Sequence, residues 1–127
     1  MDAQSIFETV SRHLFTQGKP ALNNGPWPNE CMYRAPDGSR CAFGVLISDE
    51  EYRPVMEHDS AKNVIEVYGL YRFDPHVDLI ADLQEIHDSG SYRQVGAGHS
   101  FDLTKIKTGL NEIGTRHGLD VAFLDSL

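Results

Sequence analysis

Three stretches of the sequence place apolar residues at the period of an α-helix, and this pattern constrains the fold more than any other feature. The first stretch covers residues 2–17, and its inner face consists of Ile6, Phe7, Val10 and Leu14. The second begins at Asp74-Pro75, an acidic cap followed by a proline suited to the first helical turn, and covers residues 74–88. The third begins after Asp102 and ends near Gly118. Apolar faces of this kind are stable only when they are buried, so a mostly helical core is expected.

The pattern of residues 31–47 instead predicts two strands joined by the tight turn Pro-Asp-Gly-Ser. Two registers are compatible with this turn: one pairs Arg34 with Cys41, and the other, with a bulge at Gly38, pairs Tyr33 with Cys41. Neither register places Cys31 directly opposite Cys41, so a disulfide between them is disfavoured.

Two shorter helices are predicted to begin at Ser48 and at Ser60. The predicted fold class is therefore α+β, a mostly helical single domain over residues 1–127 in which four to five helices pack on one β-hairpin. A chain of 127 residues is long enough to bury one self-sufficient core.

Composition excludes several classes of protein. Hydrophobic residues make up 40% and charged residues 24%, which argues against disorder. The net charge of −8 has the wrong sign for direct binding to nucleic acid or to an anionic membrane. The N-terminus lacks the basic and apolar regions of a secretory signal, and no apolar run reaches the ~20 residues of a membrane span. With only two cysteines, these features predict a cytoplasmic location.

Residues 19–30 contain three prolines, one glycine and three asparagines, a composition typical of an irregular surface loop. The chain's single tryptophan, Trp27, lies within this loop. Two interpretations of Trp27 remain open: it anchors a partner, or it folds back onto the core.

The predicted hairpin also carries a family resemblance. Cys31-x-Tyr33-Arg34, then Gly38, then Cys41-Ala42-x-Gly44-x-Leu46-Ile47 resembles a motif of small, uncharacterised proteins encoded by phages and prophages. The later sequence Leu-Gln-x-Ile-His-Asp, residues 83–88, is similar to the same family. The resemblance implies an accessory protein of a mobile element that acts in a bacterial cytoplasm, and it carries no catalytic residues to transfer.

Motifs for metal binding and catalysis are weak. Nine residues separate the two cysteines, and no His-x3–5-His pair occurs, so no metal and no other cofactor is predicted. The sequence also lacks a nucleophile elbow, a phosphate-binding loop and a His-Glu-x-x-His motif, and no catalytic residue is assigned.

Two histidines fall on the apolar sides of predicted helices, namely His87 and His117. If these helices pack together, the two imidazoles could meet and form a metal pair or an acid/base site, which makes a small enzyme the alternative function. The favoured interpretation is that each histidine is bonded locally at the edge of the core.

Asp78, Asp82 and Glu85 lie within roughly a 60° arc on the outer face of the helix predicted over residues 74–88. We name these three residues the acidic stripe. The leading hypothesis is a non-enzymatic protein that uses this stripe and Trp27 to bind and modulate a host protein or protein–nucleic-acid complex, for example as an anti-defence inhibitor such as an anti-CRISPR. An ordinary solvated surface is the other interpretation of the stripe. A third hypothesis is a homodimer formed through the apolar tail, residues 121–124.

Overall fold

The computed structural model describes residues 1–22, 31–89, 92–95 and 98–127. Within these ranges the chain is mostly helical, as predicted, with four α-helices: α1 (Ala3–Gln17), α2 (Ala61–Val67), α3 (Val77–Asp88) and α4 (Leu103–Arg116). Four short 3-10 turns accompany them, at Gly44–Leu46, Pro54–Met56, Tyr71–His76 and Ala122–Ser126. None of the helices in these ranges is long and apolar enough to span a membrane.

Three of the helices begin at side-chain caps. The carboxylate of Asp2 accepts the Ser5 N–H at 2.7 Å to start α1, and Asp102 does the same for Lys105 at the start of α4. The Ser60 hydroxyl caps α2. The predicted start at Asp74-Pro75 is instead occupied by the 3-10 turn, and α3 begins at Val77.

The prediction that residues 31–47 form two paired strands is wrong. Only a single bridge, between Arg34 and Arg40, forms across the turn, and the Cys41 N–H donates to the Tyr33 carbonyl at 3.3 Å. The chain then enters the 3-10 turn Gly44–Leu46. The physical reason is burial, because Cys41, Ala42 and Phe43 are all enclosed and no solvent-facing side of a strand remains.

The two strands that the structure does contain lie elsewhere. β1 (Tyr92–Val95) and β2 (Gly98–Phe101) pair antiparallel, with Tyr92 opposite Phe101. The Phe101 N–H also donates to the Gly18 carbonyl at 2.8 Å, which ties this small sheet to the end of α1.

Helices α1, α3 and α4 pack around a shared apolar core, and two glycines of α4 permit the close approach. A Cβ added at Gly109 would lie 2.3 Å from Cδ1 of Ile86, and one at Gly114 would lie 2.7 Å from a ring carbon of Phe7. A methyl group at Gly114 would overlap the buried Phe7 ring, so the helix spacing favours glycine there, whereas the end of the flexible Ile86 side chain can move away from a methyl group at Gly109.

The apolar tail docks on its own chain. Leu124 is buried, and the Phe123 ring contacts the Phe7 ring edge-to-face at 5.6 Å. These two residues therefore pack against the protein's own core. Their burial gives no support to the hypothesis of a dimer formed through residues 121–124.

Candidate functional site

An open groove of about 600 Å³ lies between the start of α2 and the second half of α3, with residues 31–33 as its floor. We name it the acidic groove, because four carboxylates line it and Lys62 is the one Lys or Arg among the described residues of its lining. The carboxylates belong to Glu57, Asp59, Glu85 and Asp88.

Glu57 is held rigidly at one side of this groove. Its carboxylate accepts hydrogen bonds from the Tyr33 N–H at 2.9 Å, the Arg34 N–H at 3.2 Å and the Tyr52 hydroxyl at 2.7 Å. Charge-assisted bonds of this type are about twice as strong as neutral ones, so Glu57 fastens the groove floor to the turn before α2.

A second element of this wall is the turn at residues 57–60, where His58 adopts a left-handed backbone with φ 73°. Non-glycine residues occupy this region rarely, and in proteins the cost is met by surrounding contacts. One such contact is the hydrogen bond that the Tyr33 hydroxyl donates to the Asp59 carbonyl.

Asp88 closes the opposite side of the acidic groove. Its Oδ1 receives hydrogen bonds from His87 Nδ1 at 2.7 Å and from Gln84 Nε2 at 2.8 Å. Burial and, next, the negative charge of Asp88 raise the pKa of Cys31 to about 12, so the thiol stays protonated and is a poor nucleophile.

His87 is completely buried, and both of its ring nitrogens are engaged. The Ala21 N–H donates to His87 Nε2 at 2.8 Å, so Nε2 carries no proton. The proton of the neutral ring therefore resides on Nδ1 and is donated to Asp88. In this arrangement His87 has no free lone pair with which to deprotonate Cys31.

Cys31, His87 and Asp88 bring one potential ligand atom each to within 4.8 Å of one another, a spacing that a metal ion could bridge. The hydrogen bonds argue against it. A metal on Nδ1 needs a proton on Nε2, but Nε2 faces the Ala21 N–H and has no acceptor to donate to. The three side chains form a structural network in place of a metal centre.

The three carboxylates of the acidic stripe differ in their surroundings. Asp82 is only partly exposed and accepts from Arg116 at 3.0 Å and from His117 at 2.7 Å, so its charge is offset within the chain. Asp78 is exposed, and Glu85 belongs to the acidic groove. Trp27 lies outside the described residues.

The two histidines of the alternative hypothesis have separate partners. His117 bonds to Asp82, near the middle of α3, whereas His87 bonds to Asp88 and Ala21 at the end of that helix. His117 is not a member of the group that includes His87 and Cys31. His87 and His117 therefore do not form a shared acid/base or metal site.

Sequence reasoning did not identify the acidic groove. Glu57 and Asp59 are noticeable as local acids, but nothing local in the sequence relates them to Asp88 or Cys31. Only the packing of α2 against α3 brings these groups to one groove.

Comparison of the chain with protein-family models, with curated protein sequences and with solved structures gave no match. The assignment of function therefore depends on the site itself.

Proposed function

We propose that this protein is a non-enzymatic binding protein that takes a basic segment of a partner protein into the acidic groove. The observation that carries this proposal is the concentration of Glu57, Asp59, Glu85 and Asp88 around one open groove, in whose described lining Lys62 is the single amine. A concave surface lined by one sign of charge raises the local concentration of an oppositely charged partner.

The distribution of the chain's own cations supports this proposal. Most of the described arginines and lysines pair with carboxylates elsewhere, as in the ion pairs of Arg34 with Asp49 and of Arg72 with Glu51. Among the described residues, Glu57, Asp59 and Glu85 form no ion pair with a cationic side chain. Because the Glu57 carboxylate already accepts three hydrogen bonds within the chain, the exposed carboxylates of Asp59 and Glu85 are the charges available to a partner in the described part of the groove.

The shape of the groove suits long basic side chains. Ala61 and Ala81 line it beside the acids, and small apolar side chains leave room for the alkyl stem of a lysine or arginine. The charged end of such a side chain would meet Glu85 or Asp59 at the rim. Charge complementarity of this kind governs specificity and association rate more than total affinity.

The chemistry of the groove favours binding over catalysis. Burial raises the pKa of Cys31 to about 12, and burial likewise raises the pKa of Tyr33 far above its usual value. His87 has no free ring nitrogen. Cys31, Tyr33 and His87 are therefore neither activated nucleophiles nor available bases.

The resemblance to phage and prophage proteins suggests the setting of this binding. On that basis we propose that the partner is a host protein or protein–nucleic-acid complex in a bacterial cytoplasm, such as a defence complex. A basic nucleic-acid-binding segment of that complex is the surface that the acidic groove would occupy.

The test uses purified protein with an arginine-rich peptide, and then with purified host defence complexes, measured by titration calorimetry. Reversing two rim charges in Asp59→Lys/Glu85→Lys should weaken binding by about tenfold or more. The matched control is Glu66→Lys/Glu112→Lys, which makes the same charge change at exposed positions outside both the groove and the acidic stripe. Equal weakening in both double variants would show that net charge, and not the groove, determines binding.

A further inference from the structure

His87 connects α3 to a segment that is distant in sequence. Its Nε2 accepts the Ala21 N–H at 2.8 Å, and its Nδ1 donates to Asp88 at 2.7 Å. The imidazole is buried, with its ring against the Phe101 ring at 5.9 Å, so water cannot replace either bond.

We infer that His87 is a pH-sensitive latch: the neutral ring holds the paired segments at Ala21 and Cys31 against α3, and protonation of the ring releases them. The reason is the direction of the Ala21 bond. A protonated imidazole carries N–H groups at both positions, so Nε2–H would face the Ala21 N–H with no acceptor between them. Two buried donors that face each other cost free energy, and the bond to Ala21 must open.

The groups around His87 favour a local opening over global unfolding. Asp88, on the same helix, stabilises the imidazolium through Nδ1. Cys31, which lies near the Asp88 carboxylate, is an uncharged thiol. His13 of α1 lies near enough that positive charges on His13 and His87 would repel each other. The Asp88 carboxylate therefore gives the protonated ring a partner while the Ala21 side loses one.

Release at Ala21 would propagate to the floor of the acidic groove. The Ala21 carbonyl accepts the Met32 N–H at 2.9 Å, and Leu22 forms a bridge with Cys31. Cys31 and Met32 both line the groove. The latch thus couples the ionisation of a buried histidine to the shape of the groove, and it does not depend on whether the groove binds a partner.

Amide hydrogen exchange followed by NMR tests the latch directly. After correction for intrinsic rates, protection of the Ala21 amide should fall by about tenfold or more between about pH 7.5 and about pH 5.5, while Val10 in α1 stays protected. In His87→Gln, the amide oxygen can still accept from Ala21 but cannot titrate, so the fall should disappear. His117→Gln is the control and should retain it.

Three results would overturn the latch: no fall at Ala21 in the wild type, a fall that persists in His87→Gln, or an equal fall at Val10. If His87→Gln does not fold, the nitrogen chemical shifts of His87 in the wild type decide the question. Shifts that stay those of a neutral ring down to about pH 5.5 would exclude the mechanism.

Discussion

The backbone of Gly44 passes so close to Tyr33 that a Cβ built at Gly44 would lie 2.0 Å from the Tyr33 carbonyl oxygen. Both groups are main-chain atoms in the core, so neither can rotate away. The close approach lies at the first residue of the 3-10 turn Gly44–Leu46, where a side chain would have no room.

Replacing Gly44 by alanine should therefore destabilise the fold by about 3 kcal/mol, because a methyl group at this position must displace backbone. Urea unfolding measures the change. Gly38→Ala is the control: Gly38 has φ 90° but no atom within 4 Å of an added Cβ, so its cost should be about 1 kcal/mol. A smaller loss for Gly44→Ala than for Gly38→Ala would contradict the packing argument.

Glu57→Ala should cost about 2 kcal/mol of stability, because it leaves the Tyr33 and Arg34 N–H groups and the Tyr52 hydroxyl without their acceptor. Glu57→Gln keeps one acceptor oxygen and should cost less. The comparison is by urea unfolding, with the exposed residue Glu66 as the control site. If Glu57→Ala and Glu66→Ala are equally mild, the three hydrogen bonds do not stabilise the groove floor.

The ion pair of Glu51 with Arg72 predicts a pH dependence of stability. Hydrogen bonding to Arg72 lowers the pKa of Glu51 to about 2, from 4.5. The folded protein thus holds the Glu51 proton less tightly than the unfolded chain, so the stabilisation is complete above about pH 4.5 and is lost as the pH falls toward 2.

Glu51→Gln should accordingly lose about 1 kcal/mol at neutral pH, a modest value because Arg72 is 45% exposed. The difference from the wild type should shrink as the pH falls through that window, as measured by urea unfolding at several pH values. A difference that stays constant with pH would mean that the carboxylate charge does not contribute.

Cys31 should react slowly with a thiol reagent at about pH 8, because burial and the charge of Asp88 raise its pKa to about 12. In a Cys41→Ser background, which isolates Cys31, Asp88→Asn should increase the rate several-fold by removing the negative charge. Both proteins should react rapidly in denaturant. A fast reaction of native Cys31 would contradict the raised pKa of its thiol.

The sequence predicted those parts of the fold that depend on neighbouring residues. The apolar periodicity of residues 2–17 and the caps at Ser60 and Asp102 correspond to α1, α2 and α4, since a helix is set by contacts three or four positions apart. It failed at residues 31–47. The turn residues there are typical of a hairpin, but the apolar run after the turn is buried on all sides, and burial overrides the local preference.

The acidic stripe illustrates the same limit for the candidate site. Asp78, Asp82 and Glu85 share a helix face by spacing alone, yet Arg116 and His117 at the end of α4 offset the charge of Asp82, while Glu85 lines the acidic groove with Glu57 and Asp59. A pattern within one helix cannot show which cations a second helix will bring to it.

What the sequence by itself determined is the net negative charge, the helical segments α1, α2 and α4, and the caps at Ser60 and Asp102, because each follows from composition or from short-range contacts. Only the tertiary structure decided that Cys31, Glu57 and Asp88 would meet in one groove and that His87 would be bonded through both nitrogens. These groups are far apart along the chain, and their proximity depends on how the core excludes water from every helix at once.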